Sequence, residues 1–148
     1  MMFKLILPIL FTVSLAYGAE PMPMQKMDVV QDGDTRKSLG IKGTMKGVHQ
    51  LSNMRSHMTA LAEIVKYMNS DQYDEASAVA QEKLGLTVSM NSMCENFGSK
   101  SFETMGVSFH KSADALAQTL KTKDHQKSMV ALEKVMNGCV LCHSTFKQ

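Results

Sequence analysis

From residue 44 onwards the apolar positions step along the chain by three or four. Gly47, Leu51, Met54, Met58, Leu61, Val65 and Met68 make one such stripe, the period of a single helical face. It predicts a first helix over 44–69, closed by Asn69-Ser70-Asp71, where Ser70 or Asp71 is placed to cap a second. That second helix spans 73–97, with Ala76, Val79, Ala80, Leu84, Val88 and Cys94 among its apolar positions. Gly85 weakens it locally, by about 1 kcal/mol relative to alanine. A linker with Gly98, Ser99 and Ser101 leads to a third helix over 107–121, carrying Phe109, Ala113, Leu116 and Leu120 on one face. A turn at Lys123-Asp124 opens a fourth over 126–146, which aligns Met129, Leu132, Val135 or Met136, Cys139, Cys142 and Phe146. No segment shows the alternation of a half-buried strand. Four amphipathic helices on short connections predict an all-α, antiparallel four-helix bundle over 44–148, because each apolar face needs a partner.

The chain before residue 44 reads differently. Met1 to Lys4 carries one positive charge, and the run Leu5 to Ala16 is apolar apart from Pro8, Thr12 and Ser14. Small residues follow at Ala16, Gly18 and Ala19. This is the layout of a secretory signal peptide over 1–19, too short for a membrane span, with cleavage expected after Gly18 or Ala19. The mature protein is therefore expected to be periplasmic and without a membrane anchor. Residues 20–43 read as an irregular lead-in: Pro21 and Pro23 break any helix, and Gln31-Asp32-Gly33-Asp34 is a turn signal. Met22, Met24 and Met27 have thioethers suited to Cu(I). Methionine makes up 14 of the 148 residues, however, so a cluster carries little weight. Asp32 and Asp34 match only the first two positions of a calcium loop.

Composition narrows the partners. One domain accounts for the length. The net charge of +2 falls to +1 once Lys4 leaves with the leader, which gives no electrostatic case for nucleic acid or an anionic membrane.

The chemistry lies near the C-terminus, in Cys139-Val140-Leu141-Cys142-His143. C-x-x-C-H is the attachment signature of c-type haem. Thiols at i and i+3 of one helical turn face the same way, so both reach the vinyl groups of one porphyrin. The adjacent histidine supplies an imidazole nitrogen to the iron. A zinc site needs two further ligands, and Cys94 is the one thiol that remains. A thioredoxin-like pair needs a βαβ setting that this chain lacks. Haem attachment of this type follows export in bacteria, so leader and motif imply the same compartment. With Cys139 and Cys142 committed to haem, Cys94 has no disulfide partner within the chain and reads as a buried structural thiol, an intermolecular bridge being the alternative.

The position of the motif on the last helix separates this chain from small cytochromes that carry it near the N-terminus. The tail Gly138-Cys139-Val140-Leu141-Cys142-His143-Ser144-Thr145-Phe146-Lys147 resembles the ending of the cytochrome c′ family, the class II c-type cytochromes. The stretch His57-Met58-Thr59-Ala60-Leu61-Ala62-Glu63-Ile64-Val65 is similar to that family's first helix. The resemblance covers residues 47–147 and is most specific at the C-terminus. It implies a left-handed four-helix bundle with one covalent haem c near one end, His143 as proximal ligand, and often a homodimer. The lead-in before Thr44 departs from the family pattern.

The resemblance also implies which residue faces the other side of the iron: the one seven positions before the methionine matched by Met58, which here is Leu51. Leucine has no lone pair to donate. The expectation is then a five-coordinate iron in an apolar pocket open to small gases such as NO or CO, or a protein exchanging single electrons. The alternative is a six-coordinate, low-spin electron carrier with Met54, one turn along the same stripe, as sixth ligand. His57 falls at the edge of the apolar face and His49 away from it, so surface or boundary roles are expected for both. His110, beside Phe109, is expected at the surface or as a cap. Lys147 resembles the family's basic residue beside the proximal histidine. No paired carboxylates, nucleophile with base, or second metal motif points to an enzyme. A redox partner or a gas ligand is the expected partner.

Overall fold

The computed structural model describes residues 33–148. The expected leader and the methionines at 22, 24 and 27 lie outside them. The described chain is mostly helical, in agreement with the all-α expectation, and has the composition of a helical bundle. None of its helices is long and apolar enough to cross a membrane.

Helix α1 (Met45–Met68) begins where the Thr44 hydroxyl accepts from the Gly47 amide at 3.1 Å, an N-cap that satisfies one of the orphan donors of the first turn. His57, Ala60, Leu61, Ile64 and Met68 form its buried stripe. The stripe expected from the sequence is rotated from this one: Leu51, Met58 and Val65 are exposed.

The predicted second helix is two helices. α2 (Tyr73–Val79) runs into a π-helical turn at Ala80–Leu84, the backbone becomes extended at Gly85, and α3 (Val88–Glu95) starts afresh. The Thr87 hydroxyl caps α3 by accepting from the Met90 amide at 3.1 Å. Asp114 braces the break: its Oδ1 accepts from Gln81 Nε2 at 2.7 Å, and both carboxylate oxygens lie 3.3 Å from the Leu86 amide. A Cβ at Gly85 would overlap the Gln81 carbonyl oxygen and that carboxylate. Close approach, more than helix propensity, accounts for the glycine.

Helix α4 (Lys100–Leu120) starts seven residues before the expected position, because Ser99 is its N-cap rather than part of a linker. Helix α5 (His125–Thr145) follows a turn in which Lys123 adopts φ 57° and Asp124 caps, accepting from the Lys127 amide at 3.0 Å.

α4 packs on α5, on α2 with its π turn, and on α3, while α1 packs on α2 and the same turn. The core joins Ile64 and Met68 of α1, Ala76 of α2, Leu84 of the π turn, Leu116 and Leu120 of α4, and Leu132 and Val135 of α5. It draws on the C-terminal halves of α1 and α4 and the N-terminal half of α5.

Two short strands correct the picture of an irregular lead-in. β1 (Lys37–Ser38) pairs in parallel with β2 (Phe146–Lys147), and Leu39 donates its amide to the Lys147 carbonyl at 2.9 Å. Two residues per strand are too few to show alternation. The segment before α1 is thereby tied to the residues that follow Cys142 and His143.

Candidate haem site

The halves of α1, α4 and α5 that the core leaves unused enclose a cavity together with α3. Its free interior is about 140 Å³, smaller than a preformed cofactor pocket. α5 contributes Gly138, Cys139, Cys142 and His143. The i, i+3 spacing turns both thiols inward, while Val140 and Leu141 between them are 66% and 55% exposed. The C-x-x-C-H chemistry and the cavity thus coincide.

The thiols are not poised as thiolates. Burial raises the pKa of Cys139, and burial together with the neighbouring Cys139 and Cys94 raises that of Cys142. Reactive redox pairs and thiolate metal sites have the opposite shift. Cys94, expected to be buried, is 8% exposed, lines the same cavity, and is likewise raised by burial and then by Glu103. Gly106 of α4 faces it so closely that a Cβ there would lie 2.9 Å from the Cys94 sulfur.

The remaining walls are rich in sulfur and aromatic groups. Met54 and Met58 come from α1, Met90 and Met93 from α3, and Met105 and Phe109 from α4. Asn53 donates to the Met93 sulfur at 2.8 Å, linking α1 to α3 across the cavity rim. Of the two residues expected beside the iron, Met54 lines the cavity. Leu51 does not: it is 43% exposed and absent from the cavity wall. The physical reason is the rotated stripe, which turns α1 so that Met54 and His57, not Leu51, point inward.

His57, expected at a surface or boundary position, and His110, expected at the surface or as a cap, are both buried. His57 is 7% and His110 4% exposed, and both line the cavity. His110 Nδ1 lies 2.7 Å from the Leu84 carbonyl oxygen, a group that the end of the π turn leaves without a helical donor. The capping role expected for it therefore exists, but inside the protein. His57 stacks on Phe109, with ring centroids 5.2 Å apart, and meets His110 edge-on at 5.5 Å. Its Nε2 is buried with no hydrogen-bond partner among the described residues, a state that costs about 1–3 kcal/mol. Burial, then the adjacent His110, lowers its pKa to about 4 and keeps the imidazole neutral. His49 is exposed, as expected.

Lys147 points away from any lone role beside His143. Its ammonium lies 3.3 Å from both a carboxylate oxygen and the backbone oxygen of Asp34. Asp34 also binds Arg36 at 2.9 and 3.0 Å, and Arg36 Nη1 donates to the His143 carbonyl at 3.3 Å. The segment before α1 so grips the end of α5 at the histidine itself, an arrangement that no motif announced.

No family model, no curated protein and no solved structure matches this chain.

Proposed function

We propose that this chain is an exported class II c-type cytochrome, cytochrome c′-like, that carries one covalent haem c and exchanges single electrons. The observation that supports it most is the convergence of Cys139, Cys142 and His143 on one cavity walled by methionine and aromatic side chains. Cys139 and Cys142 would hold the haem as thioethers, each S–H adding across one vinyl C=C with no oxidant or reductant required. His143 supplies the proximal nitrogen. The haem, when bound, supplies an iron that cycles between two oxidation states.

The chain's own residues do the rest. The sulfur and aromatic walls exclude water and provide soft contacts for a flat macrocycle. Gly138 keeps the approach to Phe109 open, since a Cβ there would lie 3.2 Å from that ring. The Nε2 of His57, a residue that lines the same cavity, is buried without a hydrogen-bond partner among the described residues. These features fit the group.

An antiparallel bundle with the haem near one end is part of the same proposal. The division of side chains supports it: α1 and α4 enter at the cavity and leave at the core, and α5 runs from core to cavity. Leu51 lies outside the cavity, so it does not supply the distal wall that the gas-binding reading assigns to it. Electron transfer with an internal sixth ligand is the better-supported reading, Met54 being the candidate already named. Export to the periplasm and a redox partner there belong to the proposal too.

The test is expression of the full chain in a host competent for cytochrome c maturation. The expected product takes up one electron per chain reversibly and keeps its colour through acid-acetone extraction. Cys139→Ser combined with Cys142→Ser loses that colour. Wild-type protein that is colourless from such a host overturns the reading.

A further inference from the structure

We infer that His57 would supply a second imidazole nitrogen, besides that of His143, to the haem iron. The inference rests on the haem reading above and goes beyond it by naming the group that completes the iron's surroundings. Three kinds of donor line the cavity besides the C-x-x-C-H residues: methionine thioethers, the Cys94 thiol, which is packed against Gly106, and the imidazoles of His57 and His110.

What each lacks distinguishes them. An unpartnered thioether is ordinary packing, because methionine sulfur is weakly polar and fills gaps at no penalty. Met54 and Met58 therefore leave nothing unsatisfied, and Met93 already accepts from Asn53. A buried imidazole nitrogen without a partner is a different matter, because its lost hydration has to be replaced. His57 Nε2 has no such replacement among the described residues.

The neighbouring groups do not supply one. His110 has committed Nδ1 to the Leu84 carbonyl and presents its ring edge-on, at 82° to that of His57. Phe109 stacks on His57 at 29° and offers a face without a donor. The stacking has a further consequence, since a ring gripped on two sides has a set orientation before any ligand arrives. Ordering of this kind is what a metal-binding histidine requires. A neutral imidazole has the lone pair that iron takes. His57 also sits one turn beyond Met54 on α1, the helix that shares the cavity with Cys139, Cys142 and His143. One substitution therefore separates the two candidates.

The test uses the full chain matured with haem, its covalent haem content measured first as the pyridine complex. The ferric protein is then read by electron paramagnetic resonance and near-infrared spectroscopy. The expected wild-type signal is low-spin with two nitrogen ligands and lacks the sulfur-to-iron charge-transfer band. In His57→Ala the low-spin signal is lost, the iron becomes high-spin, and added imidazole restores the signal. Met54→Leu leaves the spectrum unchanged. His57→Met, which keeps a donor if alanine proves too disruptive to fold, is expected to stay low-spin and to gain the sulfur band.

A sulfur band in the wild type that vanishes in Met54→Leu overturns the inference in favour of methionine. A low-spin signal lost in His110→Gln but retained in His57→Ala overturns it in favour of His110. A high-spin wild type overturns it in favour of a vacant site. Each of these leaves the haem reading intact, whereas a wild type without covalent haem overturns both.

Discussion

Single side chains divide into those whose role follows from local chemistry and those whose role depends on a distant neighbour. Cys139, Cys142 and His143 belong to the first group, because their spacing on one helical turn is what the proposed haem attachment rests on. His57 and His110 belong to the second. Their burial depends on where α3 and α4 lie against α1, and a stripe read from residue spacing alone passed closer to Leu51 than to His57. A signal existed nonetheless: His57 stands in register with Ala60, Leu61 and Ile64, all of which are buried. Gly106 offers a prediction at this scale. Leucine at that position must push into the cavity past the Cys94 sulfur, which lies 2.9 Å from where its Cβ would be. Gly106→Leu is expected to retain its helical circular dichroism and to lose most covalent haem, at least several-fold by pyridine haemochrome. Undiminished haem in that variant would place the cofactor elsewhere.

At the scale of elements, α1 and α5 were legible almost to the residue because caps and turns bracket them: Thr44 and Asn69 for α1, Lys123-Asp124 for α5. The second segment was not. A continuous apolar pattern across Gly85 conceals a break that a carboxylate from α4 holds open, and no local signal reports a partner 28 residues away. Gly85→Ala is accordingly expected to destabilise by about 1–3 kcal/mol, the range for overpacking, where propensity alone predicts a gain; urea denaturation decides the sign. The clasp between the lead-in and the end of α5 makes a pH prediction. Arg36 holds the Asp34 carboxyl well below the usual carboxylate range. A depressed folded pKa means the contribution is complete above the unfolded value of 3.8 and disappears as pH falls through the lower folded value. The Leu39 amide, bonded to Lys147, is expected to shift in an acid NMR titration only below pH 3.8. In Asp34→Asn that transition is expected to be absent.

For the whole molecule, packing and chemistry occupy separate ends. Leu116 is fully buried in the core and takes no part in the cavity. Leu116→Ala is expected to cost about 2–5 kcal/mol while leaving the haem attached, measured as a lower denaturation midpoint at unchanged haem content. The same separation explains why the all-α class was readable from periodicity while the cavity was not. Periodicity reports that a face is apolar; it does not report whether a neighbouring helix or a cofactor covers it. The central claim is the covalent haem, and intact mass spectrometry of the denatured chain tests it most directly. Protein from a maturation-competent host is predicted to have the mass of the polypeptide plus one haem, and Cys139→Ser with Cys142→Ser that of the polypeptide alone. A wild-type mass equal to the bare polypeptide would contradict the account.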